Sequence, residues 1–318
     1  MAKRAKPVAK KPAAKLPKVG SGELLTLLDF VRHAVSRFNE AELAFAHGTA
    51  DPVAEAAFLV CEALHLRPDQ FESFATARVT AAEGKHILDL ITRRITTRKP
   101  MAYLVNRIYM RGVGFYVDER VIVPRSLIGE LLDTHFAGED GEGASLMDPA
   151  NVASVLDLCT GSGCLAILAA RHFPHAAVDA VDISGDALAI AARNVADHDL
   201  EDRITLHRGD LFRPLGGKRY DLIVTNPPYV DAEGMAALPP ECLAEPKLAF
   251  DGGADGLDIV RRILDEAGSH LTSEGALLCE VGRGRDNVEA AYPALPLLWL
   301  DTEDSQGEVF FVTAADLG

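Results

Sequence analysis

From residue 153 to the C-terminus, short runs of branched apolar residues alternate with stretches of helical periodicity, and this alternation restricts the possible folds more than any other feature. Seven runs predict strands: SVLDLC, AVDAVDI, ITLHRGD, YDLIVTN, GALLCEV, LPLLWLDT and GEVFFVTA. Because buried strands separated by helices are typical of a parallel sheet covered on both faces, we expect an α/β fold. Only a short, glycine-containing connection joins the last two runs, which predicts an antiparallel pair at the end of the sheet.

The remainder of the chain divides into segments that differ in composition. Residues 1–22 are rich in Ala, Lys and Pro and cannot build a core, which predicts a disordered basic tail. Residues 23–100 show helical periodicity and predict a small helical domain. Residues 101–125 alternate aromatic and branched residues broken by glycines, which predicts a β-hairpin that links this domain to an α/β domain at residues 126–318.

Helix starts can be placed from capping residues. Asp51 directly before a proline has the composition of a helix N-terminus, as has Thr80 followed three residues later by Glu83. Ser126 is predicted to cap the helix that opens the α/β domain. A Gly-, Glu- and Asp-rich stretch at residues 137–151 predicts a surface loop. The first helix is expected to bury one apolar face made of Leu24, Leu27, Leu28, Val31 and Val35.

Charge is distributed unevenly along the 318 residues. Residues 1–22 carry seven of the 32 Lys and Arg and no acid, so the rest of the chain holds 25 basic against 47 acidic residues, a net charge of −22. Phosphate contacts need clustered Lys and Arg, so this balance argues against a duplex-DNA binder and suits a basic protein partner. The tail could contact nucleic acid such as ribosomal RNA, or could act only as a solubilising segment.

Membrane segments and metal sites are not expected from this sequence. No apolar run approaches the roughly 18–20 residues that a membrane helix needs, and no signal-peptide apolar segment follows the basic N-terminus. The five cysteines are odd in number and widely spread, and no Cys-x-x-Cys pair occurs. These features favour free thiols in a reducing cytoplasm, and no metal ligands are predicted.

The stretch DLCTGSGCLAI, from Asp157 to Ile167, falls at a predicted strand-to-helix turn. Gly161 and Gly163 let the backbone turn tightly and approach a ligand, and the following helix N-terminus offers free N–H groups. With Ala166 the spacing matches G-x-G-x-x-A, so a dinucleotide site has to be considered. The motif alone is weak, because glycines in such a turn can also serve packing.

Acids end the next two predicted strands. Asp182 lies 19 residues after the second glycine, where a carboxylate can accept hydrogen bonds from both ribose hydroxyls of NAD or of S-adenosylmethionine. It could instead cap the following helix, although Ser184 is available for that role. Asp210 ends the third strand and could accept an amino proton of adenine, with Leu211 or Phe212 against the ring, but the spacing leaves this open.

The fourth predicted strand runs into Asn226-Pro227-Pro228-Tyr229. Proline fixes φ and lacks an N–H, so the carbonyls of Asn226 and Pro227 and the side-chain oxygen of Asn226 are presented from a rigid turn. Two acceptors at fixed separation can hold both protons of a planar –NH2 group and leave its nitrogen lone pair free to attack. Tyr229 adds a flat ring that can stack on an amide or a base and favour nearby positive charge. A hydride-transfer enzyme has no use for this arrangement.

All four motifs fall at the C-terminal ends of predicted strands, the edge where open parallel sheets bind ligands. Together they resemble class I S-adenosylmethionine-dependent methyltransferases that modify exocyclic or amide nitrogens. That resemblance implies a Rossmann-like seven-stranded sheet with its last strand antiparallel. The stretches FYVDERVIVPRS, NPPYVDAEGMAALPPE and EPKLAFDGGADGLDIVRRIL are similar to the protein-(glutamine-N(5)) methyltransferase family, and the similarity covers nearly all of residues 23–318.

This family has one branch that modifies peptide-chain release factors and one that modifies large-subunit ribosomal protein three. VPRS and NPPYVDAE resemble the ribosomal-protein branch, whereas the release-factor branch reads Pro-Arg-Pro-Glu-Thr-Glu after the hairpin. Leu127 stands where a proline is expected. The resemblance therefore implies methyl transfer from S-adenosyl-L-methionine to a glutamine side-chain amide of that ribosomal protein, in the cytoplasm. The helical domain and hairpin are expected to recognise the protein substrate.

The resemblance also implies roles for individual residues. Asn226 and Pro227 would orient the glutamine amide and Tyr229 would pack on it, and these three are the predicted catalytic residues. Glu245 lies in the motif EPKLAF, either as a brace of the Asn-Pro-Pro-Tyr turn or as a substrate contact. The predicted substrate-binding residues are Asn226, Pro227, Pro228, Tyr229, Arg125 and Glu245. The predicted cofactor-binding residues are Asp157, Thr160, Gly161, Gly163, Asp182, Ile183, Asp210, Leu211 and Asn226.

Other functions stay open at this point. An N-methyltransferase acting on adenine or guanine in nucleic acid also uses Asn-Pro-Pro-aromatic, although the acidic body and the helical domain argue against it. A release-factor substrate would need the same chemistry as the ribosomal protein. The intact glycines, acids and Asn-Pro-Pro-Tyr argue against a cofactor-free ribosome assembly factor, and only the glycine turn favours a nicotinamide enzyme.

Overall fold

The structure is a computed structural model that describes residues 23–45, 47–49, 51–136, 145–303 and 305–318. The predicted basic tail at residues 1–22 and the first part of the predicted loop at residues 137–151 lie outside the described residues. Within the described ranges, no helix is long and apolar enough to cross a membrane.

The N-terminal region is helical, as its periodicity predicts. Its helices are α1 Leu27–Glu40, α2 Pro52–Ala63, α3 Phe71–Phe74, α4 Ala81–Thr97 and α5 Met101–Val105. The Asp51 carboxylate accepts the N–H groups of Val53 and Ala54 at 2.7 and 2.9 Å. Thr80 and Glu83 form a capping box at the start of α4. Both predicted caps are therefore confirmed.

The apolar face predicted for α1 is confirmed only in part. Leu24, Leu27 and Val31 are buried, whereas Leu28 is 51% exposed. The prediction that Leu28 is buried is wrong, because this residue lies about 100° around the helix axis from Leu27, outside the stripe that packs inward. The buried apolar stripe of α1 consists of Leu27, Phe30, Val31, Ala34 and Phe38.

The linker differs from the predicted hairpin at its start. The prediction of a strand that starts at residue 101 is wrong, because Met101–Val105 forms α5 after Pro100. This helical turn lets Met101 pack in the helical core, while the Tyr103 hydroxyl donates to the carbonyl of Val121. The hairpin itself is shorter and pairs β1 Ile108–Met110 with β2 Val113–Phe115 in antiparallel fashion.

The α/β domain contains a seven-stranded sheet in the order β5-β4-β3-β6-β7-β9-β8. Its strands are β3 Ser154–Leu158, β4 Ala177–Asp182, β5 Ile204–Arg208, β6 Tyr220–Thr225, β7 Leu271–Glu280, β8 Leu298–Asp301 and β9 Gln306–Thr313. β9 is antiparallel to both of its neighbours, and the other adjacent pairs are parallel. The seven predicted strands and the Rossmann-like sheet with its last strand antiparallel are confirmed.

Helices cover both faces of this sheet. They are α6 Ile128–His135, α7 Cys164–His172, α8 Gly185–Asp197, α9 Ala232–Ala237, α10 Asp258–Ala267, α11 Arg285–Ala291 and α12 Ala314–Leu317. Successive residues of one strand enter different apolar clusters, because side chains alternate across a strand. Val155 packs in the cluster that includes α6, α7 and α8, whereas Leu156 packs in the cluster that includes α10 and α11.

The predicted cap of α6 is wrong in position. The helix begins at Ile128, with Leu127 at the N-cap position and no capping side chain there. The Ser126 hydroxyl accepts the Ile128 N–H at 3.2 Å from one residue further out, and it donates to Glu280 at 2.7 Å. A carboxylate supplied by a distant strand thus determines where this serine points, which a local capping rule does not anticipate.

Candidate active site

Four strand ends meet in one row at an edge of the sheet. Leu158 of β3 pairs with Thr225 of β6 and with Val181 of β4. Thr225 in turn pairs with Cys279 of β7, and its hydroxyl donates to the Leu158 carbonyl at 2.9 Å. The strand-end motifs therefore share one edge, as expected for parallel strands. The residues that emerge there side by side are Cys159, Asp182, Asn226 and Glu280.

The two glycines of the turn after β3 have different roles. Gly161 has a φ of 57°, and a Cβ built on it would meet no atom nearer than 4.0 Å. Gly163 has a φ of 81° and is pressed against α8, where a Cβ would lie 3.1 Å from the Cβ of Ala191. The packing alternative therefore applies to Gly163, whereas Gly161 keeps the backbone open toward the strand ends.

Asn194 of α8 holds this turn from behind, and no motif had pointed to it. Its Nδ2 donates to the carbonyls of Ser162 and Tyr116 at 2.8 and 3.0 Å, and its Oδ1 accepts the Tyr116 N–H at 2.8 Å. One fully buried amide thus joins the glycine turn to the residue that follows the hairpin. The signal in the sequence is a polar residue on the apolar face of an amphipathic helix.

Asp157, the penultimate residue of β3, is a fully buried carboxyl group beneath the turn. Its Oδ2 accepts the Thr160 hydroxyl at 2.5 Å and the Ala166 N–H at 3.0 Å, whereas Oδ1 has no hydrogen-bond partner among the described residues. Burial raises the pKa of Asp157 to about 7, against the opposing effect of these two hydrogen bonds. A buried oxygen without a partner is costly, so Oδ1 is suited to accept a hydrogen bond from a ligand.

Asp182 ends β4 and braces the glycine turn. Its Oδ2 accepts the Gly161 N–H and its Oδ1 accepts the Ser184 N–H, both at 2.8 Å. Burial raises the pKa of Asp182 despite these bonds. Ser184 rather than Asp182 caps α8, because the Ser184 hydroxyl accepts the Ala187 N–H at 3.2 Å. Ile183 beside it is 53% exposed, which gives the strand ends an apolar surface next to a carboxylate.

Asp210 and Leu211, predicted to hold an adenine ring, already have partners in the protein. Asp210 Oδ1 accepts from Arg262 Nη2 at 2.8 Å, and Oδ2 lies 3.5 Å from Arg213 Nη1. Leu211 is buried in an apolar cluster and has a φ of 50°. An adenine contact by Asp210 would have to share the carboxylate with two arginines, and it stays a prediction.

The Asn226-Pro227-Pro228-Tyr229 turn follows β6 directly. Pro227 is buried and the other three residues are partly exposed. Within the described chain the Asn226 side chain makes no hydrogen bond, so its amide oxygen is available as an acceptor. The Tyr229 hydroxyl donates to Glu280 Oε1 at 3.2 Å. Burial raises the pKa of Tyr229 far above its usual range, so this phenol stays neutral.

Glycines let a second segment pack closely under this turn. A Cβ on Gly256 would lie 2.4 Å from the Tyr229 carbonyl oxygen, and one on Gly252 would lie 2.8 Å from the Tyr229 Cα. Backbone hydrogen bonds run from Val230 N to Phe250 O at 2.8 Å and from Gly252 N to Val230 O at 2.9 Å. The stretch FDGGADGLD is therefore the backbone support of the Asn-Pro-Pro-Tyr turn.

Glu280, the last residue of β7, is a site residue that no sequence motif had singled out. It is 2% exposed and accepts hydrogen bonds from the Ser126 hydroxyl at 2.7 Å, the Leu127 N–H at 2.9 Å and the Tyr229 hydroxyl. Burial raises the pKa of Glu280 to about 7, and the three hydrogen bonds oppose that rise. The available signal was an acid at the end of a buried strand, the same signal that marks Asp182.

Glu245 connects the α/β domain to the helical domain and to the linker that follows it. Its Oε1 accepts the Val123 N–H at 2.9 Å and Arg125 Nη1 at 3.2 Å, and its Oε2 lies 3.2 Å from His47 Nε2. Burial alone would raise the pKa of Glu245, but the hydrogen bond of His47 and the charge of Arg125 outweigh it, so the pKa lies below its usual range. The observed role of Glu245 is a brace between domains, and direct substrate contacts of Glu245 and Arg125 stay predictions.

Glu241 makes a second buried attachment four residues earlier. Its Oε1 accepts the Ala44 N–H at 3.1 Å and pairs with Arg98 Nη2 at 2.6 Å. Both acids belong to the segment that follows the Asn-Pro-Pro-Tyr turn, so the position of the helical domain is tied to that segment. We call these two acids and four of their partners the domain clasp, which consists of Glu241, Glu245, Ala44, His47, Arg98 and Arg125.

Three residue types that often bind metals meet at the clasp, where Cys242 lies beside the clasp residues His47 and Glu245. One ligand atom each of His47, Cys242 and Glu245 lies within 4.8 Å of the others. Hydrogen bonding accounts for this arrangement, since His47 Nε2 is 3.5 Å from the Cys242 sulfur and 3.2 Å from Glu245. The Arg125 guanidinium on the same carboxylate opposes a cation there. All five cysteines are free thiols and four are buried, as the sequence predicts.

Replacing Glu245 with glutamine is expected to lower the free energy of unfolding by about 3 kcal/mol, because it removes the buried carboxylate that pairs with the Arg125 guanidinium and binds the Val123 N–H and His47. The pKa of Glu245 is lowered in the fold, so its stabilisation is present above the unfolded carboxyl pKa of about 4.5 and is lost as the pH falls through the folded value. Urea denaturation at pH 7.5 and at low pH measures both effects. The control is Glu233→Gln, an exposed acid of α9, and an equal loss in the control would contradict the clasp.

Comparison of the sequence with known proteins gives one matching family model and several similar proteins. Residues 144–239, which include the glycine turn and the Asn-Pro-Pro-Tyr turn, match the methyltransferase small domain family. The chain is 75% identical to the ribosomal protein uL3 glutamine methyltransferase of Bradyrhizobium diazoefficiens, with 100% of both chains covered. It is 52% identical to the protein of the same name from Bordetella pertussis, over 93% of this chain and 97% of the relative.

Two solved structures have a remote likeness to this chain. The human methyltransferase 10 domain containing protein has a TM-score of 0.44 and 16% identity, over 64% of this chain and 89% of that chain. A ribosomal protein L11 methylase from Lactobacillus delbrueckii subsp. bulgaricus has a TM-score of 0.35 and 24% identity, over 51% of this chain and 68% of that chain. These values are too low to bear on function.

Proposed function

The chain belongs to the family of ribosomal protein uL3 glutamine methyltransferases, and from this premise we propose its complete reaction. The protein transfers a methyl group from S-adenosyl-L-methionine to the side-chain amide nitrogen of a glutamine in the large-subunit ribosomal protein uL3. The observation that carries the proposal at the site is the Asn226-Pro227-Pro228-Tyr229 turn, which emerges in the same strand-end row as Asp182.

S-adenosylmethionine suits the residues at this edge, and when bound it supplies an electrophilic methyl group on a sulfonium. Asp157 Oδ1 is a buried acceptor without a partner among the described residues, and it suits a charged N–H donor of the ligand. Asp182 suits the ribose hydroxyls, because it ends β4 and a carboxylate oxygen can accept a further hydrogen bond besides those from the Gly161 and Ser184 N–H groups. Ile183 offers an exposed apolar surface for a ring.

Asn226 and Pro227 orient the nucleophile. A glutamine amide nitrogen is weakly nucleophilic because its lone pair is delocalised into the carbonyl. Acceptance of both N–H protons, by the Asn226 side-chain oxygen and the Pro227 carbonyl, fixes the nitrogen and directs its lone pair outward. The same two oxygens stabilise the positive charge that develops on nitrogen as the new bond to carbon forms.

Tyr229 contributes its ring rather than a base. Its hydroxyl already donates to Glu280 and its raised pKa keeps it neutral. An electron-rich ring face stabilises nearby positive charge without taking up a proton. The proton released from the methylated nitrogen therefore leaves to water, and no strong general base is required.

The net charge of the chain supports the same protein substrate as the family membership does. The part of the chain after residue 22 carries a net charge of −22, which complements a basic ribosomal protein. The domain clasp attaches the helical domain to the segment that follows the Asn-Pro-Pro-Tyr turn. We assign recognition of uL3 to this domain and the hairpin, and the reaction to the cytoplasm.

A competition experiment tests the acceptor. With radioactive methyl donor and equal amounts of purified uL3, release factor and ribosomal RNA, we expect label on uL3 alone, at a glutamine side chain identified by mass spectrometry. Family membership favours uL3 over the release factor, and the net charge of −22 on the chain after residue 22 disfavours RNA. The control is uL3 in which the modified glutamine is replaced with asparagine. Label on the release factor or in the RNA would overturn the assignment.

A further inference from the structure

Glu280 is a buried carboxylate that pairs with no cation among the described residues. Its partners are a serine hydroxyl, a backbone N–H and a phenol, all neutral donors. A buried carboxylate without a counter-charge is expensive, and a neutral or apolar residue would serve a purely structural role at lower cost. Its position at the end of β7, one residue beyond the row partner of Thr225, places it beside Asn226.

Two contacts hold the ring of Tyr229 next to the end of β7. The hydroxyl is held by Glu280, and the ring lies against Gly282, where a Cβ would come within 2.6 Å of the ring carbon Cε2. Gly282 has a φ of 52°, so a side chain there would also be strained. One contact limits the tilt of the ring and the other its rotation, which gives a single orientation to the surface available for the substrate amide.

Glu280 also reaches the linker that leads out of the hairpin. Its Oε2 accepts the Ser126 hydroxyl and the Leu127 N–H, directly before α6, while Oε1 accepts from Tyr229. Arg125 next to this pair belongs to the domain clasp. One carboxylate therefore connects the segment that carries the helical domain with the aromatic ring of the Asn-Pro-Pro-Tyr turn.

We propose that Glu280 is a positioning residue for methyl transfer, which holds the Tyr229 ring in the orientation that packs on the glutamine amide and ties that orientation to the linker at Ser126 and Leu127. The inference rests on the proposed function for its kinetic consequence, but the contact itself can be measured without it. Glu280 acts through Tyr229 and makes no contact with the reacting atoms.

A double-mutant cycle with Glu280→Gln and Tyr229→Phe tests the proposal. Each single variant is expected to lower kcat by about tenfold, with KM for uL3 and the Kd of the methyl donor within about twofold of the original values. The double variant is expected to be no worse than the poorer single variant, because both changes remove the same interaction. Multiplicative losses, or an unchanged kcat in Glu280→Gln, would overturn the role.

A second readout separates this inference from the proposed function. With 3-fluorotyrosine incorporated, the 19F resonance of residue 229 is identified by its loss in Tyr229→Phe, and Glu280→Gln is expected to shift it. An unmoved resonance would refute the contact even if no acceptor protein were methylated. The matched control is Asp179→Asn, a buried carboxylate that also has three hydrogen-bond partners but lies within β4, away from the strand ends. Asp179→Asn should leave the 19F resonance of residue 229 unmoved. Its effect on kcat should be independent of Tyr229→Phe when the two changes are combined.

Discussion

Asn226→Ala is expected to reduce methyl transfer to uL3 by about 100- to 1,000-fold, the range found when one preorganised hydrogen-bonding group of an active site is removed. The side chain emerges at the end of β6 with no hydrogen-bond partner in the described structure, so its loss disturbs little of the fold. One amide proton of the substrate would then lack its acceptor, and the lone pair would no longer be directed. Single-turnover kinetics with saturating methyl donor measures the loss.

The affinity of Asn226→Ala for the methyl donor shows whether Asn226 orients the substrate amide or helps to form the cofactor site. Calorimetric affinity for S-adenosylmethionine is expected to stay within about threefold in Asn226→Ala, because the proposed contacts of the cofactor with Asp157, Asp182 and Ile183 lie on or directly after β3 and β4. The matched control is Asn151→Ala, an exposed asparagine before β3 that should retain full activity. Turnover at the original rate in Asn226→Ala would remove the amide-orienting role from the proposal.

Asp157→Asn is expected to stabilise the unliganded protein at pH 8 and yet weaken binding of the methyl donor by about 30-fold, or about 2 kcal/mol. Burial raises the pKa of this carboxyl from 3.8 to about 7, while Thr160 and the Ala166 N–H oppose the rise and the neighbouring charge of Asp182 adds to it. The stabilisation by its proton is complete below pH about 4 and is lost as the pH rises through about 7. At pH 8 the charged form therefore costs stability.

The size and the sign of this effect can be measured together. Asparagine keeps an acceptor for Thr160 and the Ala166 N–H and removes the charge, so the free energy of unfolding at pH 8 should rise by about 2 kcal/mol. Near pH 4 the difference from the unaltered protein should shrink toward zero. Denaturant unfolding at both pH values, with Asp197→Asn on the exposed side of α8 as control, provides the comparison. Lower stability at pH 8 combined with unchanged donor binding would reject this account of Asp157.

The sheet and its edge were predictable because parallel strands impose their own register. Once the runs after residue 153 are taken as strands, every C-terminal strand end must lie at one edge, and Asp182 and Asn226 follow from that rule. Asp157 was placed by its motif, but its partnerless oxygen is visible only when the neighbours are in place. Local rules also placed the caps of α2 and α4, since those contacts span only two or three residues.

The features that escaped prediction depend on partners far away in the chain. Ser126 has the composition of a cap, yet its hydroxyl turns to Glu280, which is 154 residues away. The strand expected from residue 101 was replaced by α5, because tertiary packing of Met101 overrides an alternating pattern. Glu241 reads as one acid among many in the sequence, and only its pairing with Ala44, 197 residues earlier, reveals a buried attachment.

The domain clasp has a consequence for folding during synthesis. Ala44, His47 and Arg98 leave the ribosome long before Glu241 and Glu245 are made, since about 140 to 200 residues separate them. At roughly 5–20 residues per second, the loop after α1 waits on the order of 10–40 s for its buried acceptors. Until then a histidine and an arginine that end up against buried carboxylates remain hydrated. The helical domain is therefore made before the α/β domain, but the contacts that attach it to that domain are among the last to form.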